Sequence, residues 1–252
     1  MSALLRAEFL KLRSTRTALG MGIAAALVTI LPAVLLIAFL STDTLGGSEA
    51  GTVLTAGGSL VTYILLVFGI LGMTGEYRHG TITYTYLATP RRGRVMIVKL
   101  AVYALVGCLA MLLALLLANL IGVIGLPIRG VGYAAPDGAA LADYARQIVT
   151  AGLVTAFGVA LGALLRAQVV TVAGTLIWAL LVEPLIVTFK PHIGIYLPFS
   201  AFQKITMGGA LHAGQDGGLP SLTRPEAFLI AIAYIAVFSV LAVFISMRRD
   251  VT

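Results

Sequence analysis

The chain has 252 residues, 60% of them apolar and 11% charged, with a net charge of +7 and one cysteine; its mean hydropathy is +1.03. A soluble domain is about half apolar and about a quarter charged, and folding leaves roughly a quarter to a third of the unfolded surface exposed, too much to hide this excess from water. The composition therefore predicts an all-α membrane protein and excludes disordered, collagen-like and disulfide-rich classes, because the glycines show no period and Cys108 has no intramolecular partner in the sequence.

Before the first apolar stretch, Leu5, Phe9 and Leu12 recur at i, i+4 and i+7, with Arg6 and Arg13 on another face. This is the pattern of an amphipathic helix lying in the headgroup layer, its basic face toward anionic lipid; a plain basic flank is the alternative. A bilayer core of about 30 Å takes about 20 apolar residues as a helix. Six stretches qualify, at 17–40, 53–73, 100–124, 148–165, 169–189 and 227–247, and only the fifth holds a charge, Glu183. The first is too long for a signal-peptide core and has no small-residue cleavage site after it, so it is expected to stay.

Between spans two and three runs a loop, 74–99, whose charged ends enclose Tyr77, Ile82, Tyr84, Tyr86 and Leu87. Apolar and aromatic side chains at a basic membrane face suggest a docking surface. Their spacing fits a strand or a short helix equally. Glu76 near its start and Pro90 after its end suit a helix, and a hairpin packed on its own bundle is the alternative.

The residues Glu76, Tyr77, Arg78, His79, Gly80 and Thr81, followed by Leu87, Pro90, Arg91, Arg92 and then Lys99, resemble the first cytoplasmic loop of type-2 ATP-binding-cassette transporter permeases, which commonly carry Glu-x-x-x-Gly-Thr, then Leu, Pro, a basic residue and Lys. The likeness extends over the whole chain: a basic N-terminal helix, six spans and a long outer segment before the last span. It implies that this loop is a coupling helix docking in a groove on an ATPase, with Glu76, Tyr77, Arg78, Gly80, Thr81, Tyr84, Tyr86, Leu87, Pro90, Arg91 and Arg92 as docking residues. It also implies a second permease copy, ATP and magnesium bound by the partner rather than by this chain, and outward transport. The bare outer loops depart from family members with a large extracellular domain.

In span three, Cys108 is expected in lipid or helix packing and Asn119 in a transport pathway or a helix-to-helix hydrogen bond. In span four Gly158 and Gly162 form a G-x-x-x-G that predicts close helix packing, within the chain or between copies. Span five carries Glu183 before Pro184. A membrane carboxylate is a functional candidate, although it could equally snorkel outward or cap the turn broken at Pro184. The stretch 190–226 starts apolar but is punctuated by Pro191, Gly194 and Pro198, which suits re-entrant or interfacial short helices; the resemblance assigns it, with Phe199 and Phe202, to the exit. Residues 208–220 read as flexible.

Twelve of the 17 basic residues, with only Glu8, Glu76 and Asp250, fall on the side of the termini, against five basic and seven acidic residues on the other. The positive-inside rule then places both termini in the cytoplasm of a plasma (inner) membrane, and the basic balance reports orientation rather than nucleic-acid binding. Residues 45 and 214 are expected outside, 78 and 250 inside. No zinc, serine-elbow or phosphate-loop motif occurs, and His79, His192 and His212 lie apart in loops. The reading is a single permease domain over 1–252 with no enzymatic centre or metal site of its own, moving a hydrophobic or amphipathic substrate. A partner-free transporter or channel would instead show several intramembrane charges or two related halves, and a membrane scaffold is the third class.

Overall fold

In the computed structural model, residues 2–42, 45, 57–88, 91–207 and 222–248 are described. Among them there are helices and no strand. In chain order these are α1 (Ser2–Ser14), α2 (Arg16–Phe39), α3 (Gly58–Arg78), α4 (Thr81–Ala88), α5 (Arg92–Ile128), α6 (Gly138–Leu165), α7 (Gln168–Phe189), α8 (Pro191–Gly194), α9 (Pro198–Met207) and α10 (Arg224–Arg248). Six of them, α2, α3, α5, α6, α7 and α10, are long and apolar enough to cross a membrane. They are the six expected stretches.

The helices outrun the apolar windows. Helix α5 runs for 37 residues and begins at Arg92 rather than near 100, and α3 continues to Arg78. Hydropathy marks only the part of a helix that lipid can solvate, whereas backbone hydrogen bonding carries the helix past a charge that has found a partner. The loop expected over 74–99 therefore shrinks to the few residues around α4. The expected start of span two, 53–56, lies outside the described residues, as do positions 214 and 250 and the glycine-rich 208–220.

Helix α6 is the centre of the bundle, packed by α3, α5, α7, α9 and α10. Its sequence explains this place, because small residues let neighbouring backbones approach. A Cβ at Gly158 would come 2.4 Å from the Leu66 carbonyl oxygen, and one at Gly162 2.9 Å from that of Ile70. On the facing helix, a Cβ at Gly69 would come 2.1 Å from the Thr155 carbonyl oxygen. Gly158 and Gly162 thus pack α6 on α3 within the chain. Gly152 meets Cys108 and Ala104 of α5 in the same way. The apolar side chains left exposed concentrate on α2, α5, α7 and α10, as Leu27, Leu31, Leu113, Leu180 and Val240 do, and give the bundle a lipid-compatible surface.

Candidate functional site

One end of the bundle holds a cluster of four charges, three of them buried and Lys11 partly exposed. The Lys99 ammonium, on α5 and 1% exposed, donates to Glu8 Oε2 of α1 at 2.8 Å and to Glu76 Oε1 of α3 at 2.9 Å. Lys11 of α1 donates to Glu8 Oε1 at 3.0 Å and to the same Glu76 oxygen at 2.9 Å, and reaches Thr85 Oγ1 of α4 at 3.4 Å. Buried ions lose hydration worth several kcal/mol each, recovered only when partners and hydrogen bonds are well placed. The two carboxylates and two ammonium groups pair with no net charge among them, and Glu76 Oε2 is the one oxygen of the two carboxylates without a hydrogen-bond partner among the described residues.

Local sequence builds this arrangement. On α1 the inward face is Leu4, Glu8, Lys11 and Leu12, spaced i, i+4, i+7 and i+8, while Leu5 and Phe9 turn outward. The stripe expected from the sequence holds for Leu5 and Phe9; Leu12 instead packs against the cluster around Met73, Ile82 and Met96. Ala242 and Val243, near the end of α10, join that same cluster. Tyr103, one turn beyond Lys99, lies with its ring centroid 5.5 Å from the ammonium and 5.3 Å from the Phe68 ring. Gly72 makes the room, since a Cβ there would fall 2.1 Å from the tyrosine oxygen.

Burial acts against the charge of Glu8, but the Lys99 charge and hydrogen bonds from Lys99 and Lys11 outweigh it and hold the carboxyl below its ordinary value. Burial likewise opposes the Lys11 charge, and hydrogen bonding and attraction to Glu76, then to Glu8, overcome it and raise its pKa. Both groups are held ionised.

The chain leaves α3 through His79 and turns at Gly80, whose φ of +67° suits a residue without a side chain. Thr81 then opens α4, its hydroxyl donating to the Glu76 carbonyl oxygen at 3.5 Å. On this eight-residue helix Ile82 is buried, whereas Tyr84 and Leu87 are each 75% exposed. The open choice between strand and helix is thereby resolved as helix. Tyr77 lies under the Arg166 guanidinium at 5.2 Å, and Arg78 donates to Gln168 at 3.3 Å, so the turn between α6 and α7 is tied to the end of α3. Arg91 is exposed and Arg92 half-buried at the start of α5. Pro90 and the Tyr86 side chain lie outside what is described.

The placement of Glu76 differs from that of a surface docking residue. Its carboxylate is buried, with Oε1 accepting from both Lys99 and Lys11. In the sequence Lys99 stands out only as a loop end and within the family motif, Glu8 only in the charge balance, and Lys11 not at all. The available signal was a Glu–Lys pair at i, i+3 beside an apolar stripe.

At the opposite end, Pro184 removes a backbone donor and its ring displaces the carbonyl four residues back. The helix widens into a π turn over Trp178–Val182, where the Glu183 N–H bonds the Trp178 carbonyl oxygen. This register puts the indole N–H 3.0 Å from Glu183 Oε2. The other carboxylate oxygen accepts from the backbone N–H of Ser200, in the first turn of α9. Glu183 is 2% exposed. It neither snorkels nor caps the broken turn of its own helix; it caps α9, whose first N–H groups need an acceptor and attract negative charge.

Phe199 and Phe202 of α9 are buried with Phe157 of α6, at centroid distances of 5.9 and 5.5 Å, in a core cluster that includes Phe238 of α10. Asn119 donates to the Leu115 carbonyl oxygen at 2.8 Å and accepts from the Tyr133 and Tyr144 hydroxyls at 2.9 and 3.2 Å. It ties α5 to the following loop and to α6, as the helix-to-helix reading expects. Among the described residues no cluster of His, Cys, Asp and Glu is arranged to hold a metal ion.

No family model matches the chain, and no curated protein matches it. The fold defines a helical protein with six helices able to span a membrane, consistent with a multi-pass membrane protein.

Proposed function

We propose that the chain is the membrane-spanning permease subunit of an ATP-driven exporter of the ATP-binding-cassette type, working beside a second permease copy and an ATPase that binds ATP and magnesium. The termini and α4 face the cytoplasm of the inner membrane, and α4 docks on the ATPase. The observation that carries this reading is α4 itself. A helix that buries Ile82 and holds Tyr84 and Leu87 three-quarters exposed, at an end rich in Arg and Lys, offers an aromatic and aliphatic anchor with a basic rim.

In this reading Tyr84 and Leu87 touch the partner, Arg78, Arg91 and Arg92 orient it, and Gly80 and Thr81 set the angle of α4. Glu76 acts from beneath as a positioning residue, since its pairs with Lys99 and Lys11 hold the helix ends on which α4 stands. A push on α4 reaches α5 through Glu76 and Lys99. The lipid-facing leucines and valines suit a hydrophobic or amphipathic substrate that travels along or between apolar helix faces.

The test is reconstitution in lipid vesicles with an ATPase of this class encoded beside the gene. Wild-type chain should bind and stimulate that ATPase, and Tyr84→Ala with Leu87→Ala should lower binding at least tenfold, the loss expected from two anchors at about 1 kcal/mol or more each. Hydrolysis by the chain alone, or undiminished binding by the double variant, sinks the proposal.

A further inference from the structure

The four-charge cluster divides along the boundary between α1 and the rest of the bundle. Glu8 and Lys11 both belong to α1 and pair with each other at 3.0 Å. Glu76 and Lys99 belong to α3 and α5 and pair at 2.9 Å. Two crossed pairs, Lys99 with Glu8 at 2.8 Å and Lys11 with Glu76 at 2.9 Å, join the halves. Each half carries one cation and one anion. If α1 lifts away, the crossed pairs break, but neither half is left with a charge lacking a counterion.

That division is not what a fixed structural bolt requires. Had Lys99 only Glu8 for a partner, the departure of α1 would strand an unbalanced ammonium in the protein, and uncompensated buried charges are strongly destabilising. The other attachments of α1 are modest. Its main neighbour is α5, Leu12 is only partly buried, and Leu5, Phe9 and Leu10 face outward. A joint is present as well: Thr15, with φ −91° and ψ 129°, is the one extended residue between α1 and α2. A single residue outside helical geometry can absorb a rotation of α1 without unwinding either helix.

We infer that α1 is a detachable arm, latched to the bundle by two crossed ion pairs and able to leave with Glu8 still paired to Lys11. Lys11 also touches Thr85, so release of the arm frees one side of α4. The inference stands whether or not an ATPase docks on α4.

The full chain in lipid nanodiscs decides it, with hydrogen exchange over residues 4–13 reporting attachment and the melting of the single tryptophan, Trp178, reporting the fold. Glu8→Gln combined with Lys11→Met removes the arm's half of the latch. This variant should keep wild-type yield and melt within a few degrees of wild type, while exchange over 4–13 rises about tenfold or more and that over 150–163 stays slow. Lys99→Met, which leaves the remaining half unbalanced, should instead lose folded yield. A double variant that fails to fold makes the cluster an indivisible part of the core and overturns the inference. So does unchanged exchange over 4–13, or a Lys99→Met protein as stable as wild type.

Discussion

The carboxylate of Glu183 accepts a hydrogen bond from the backbone N–H of Ser200, 17 residues further along the chain. Helix α7 thereby caps the first turn of the separate short helix α9, and the indole of Trp178 holds the second carboxylate oxygen at 3.0 Å. The link fixes α9, and with it Phe199 and Phe202, against α6 and α10.

Removing the carboxylate strands both donors. Glu183→Ala should therefore cost about 2–4 kcal/mol, since hydrogen bonds to a charged group contribute roughly 1.5–3 kcal/mol each and their losses are not additive. Glu183→Gln, which keeps one acceptor oxygen, should cost less. Thermal melting read on Trp178 checks both, because the emission of that residue reports the contact directly. A Glu183→Ala protein with wild-type melting and emission would refute the capping role.

Glycines on packed faces should respond differently from those on open faces. Gly158→Ala and Gly69→Ala force a Cβ into backbone atoms and should sharply reduce folded yield, by the mechanism of overpacking, which costs about 1–3 kcal/mol or more. Gly20→Ala and Gly22→Ala meet nothing within 4 Å and should be neutral or stabilising by up to about 1 kcal/mol, the helix-propensity difference. Size-exclusion profiles in detergent after graded heating distinguish the two groups, and equal tolerance at all four positions is the contrary result.

The charge cluster gives an acid-labile contribution to stability. The folded-state pKa of Glu8 is lowered, so its stabilisation is complete above the unfolded value, about 4.3, and fades as pH falls through the lower folded value. Lys11 has a raised pKa, so its contribution is complete below about 10.4 and fades only as pH rises through the higher folded value. Stability from these two groups should be level from about pH 5 to 10 and decline on the acid side. Glu8→Gln should flatten that acid decline. Superimposable melting curves for wild type and variant from pH 3 to 6 would count against it.

Under the proposed function, helix α4 separates folding from docking. Ile82→Ala should cost about 2–4 kcal/mol, because the side chain is buried. Tyr84→Ala and Leu87→Ala should change stability by no more than about 0.5 kcal/mol, as for exposed sites generally. Chemical unfolding in detergent measures this without any partner, and a large loss at Tyr84 would mean that its ring packs on the bundle.

The proposed orientation rests on the charge balance of the sequence and can be read in cells. In a Cys108→Ala background, a cysteine at position 78 should resist an impermeant thiol reagent, whereas one at Asp137 should react. The reverse pattern inverts the topology.

The six helices were legible in the sequence because lipid imposes a single requirement on a spanning segment: about 20 apolar residues with every backbone group paired internally. The packing role of Gly158 and Gly162 was legible for a related reason, as only small residues admit a close neighbour. What those glycines pack against was not, because one strip of small residues fits a partner from the same chain or from another. Charged residues were read as boundaries. Lys99 closes an apolar window, Glu76 reads as a surface group, and Glu8 enters only through the charge balance. Whether a charge faces water or lies buried depends on where its counterion is, and Glu8 finds Lys99 91 residues away. Glu183 posed the same ambiguity. Its sequence neighbours allowed it to snorkel or to cap its own broken turn, and only the approach of α9, guided by Phe199 and Phe202 packing on Phe157, supplied the backbone donor that holds it inside. Sequence by itself determined what the lipid would accept; the pairing of the few groups that lipid would reject was decided by tertiary structure, since electrostatic and hydrogen-bond satisfaction depends on distance in space and not along the chain.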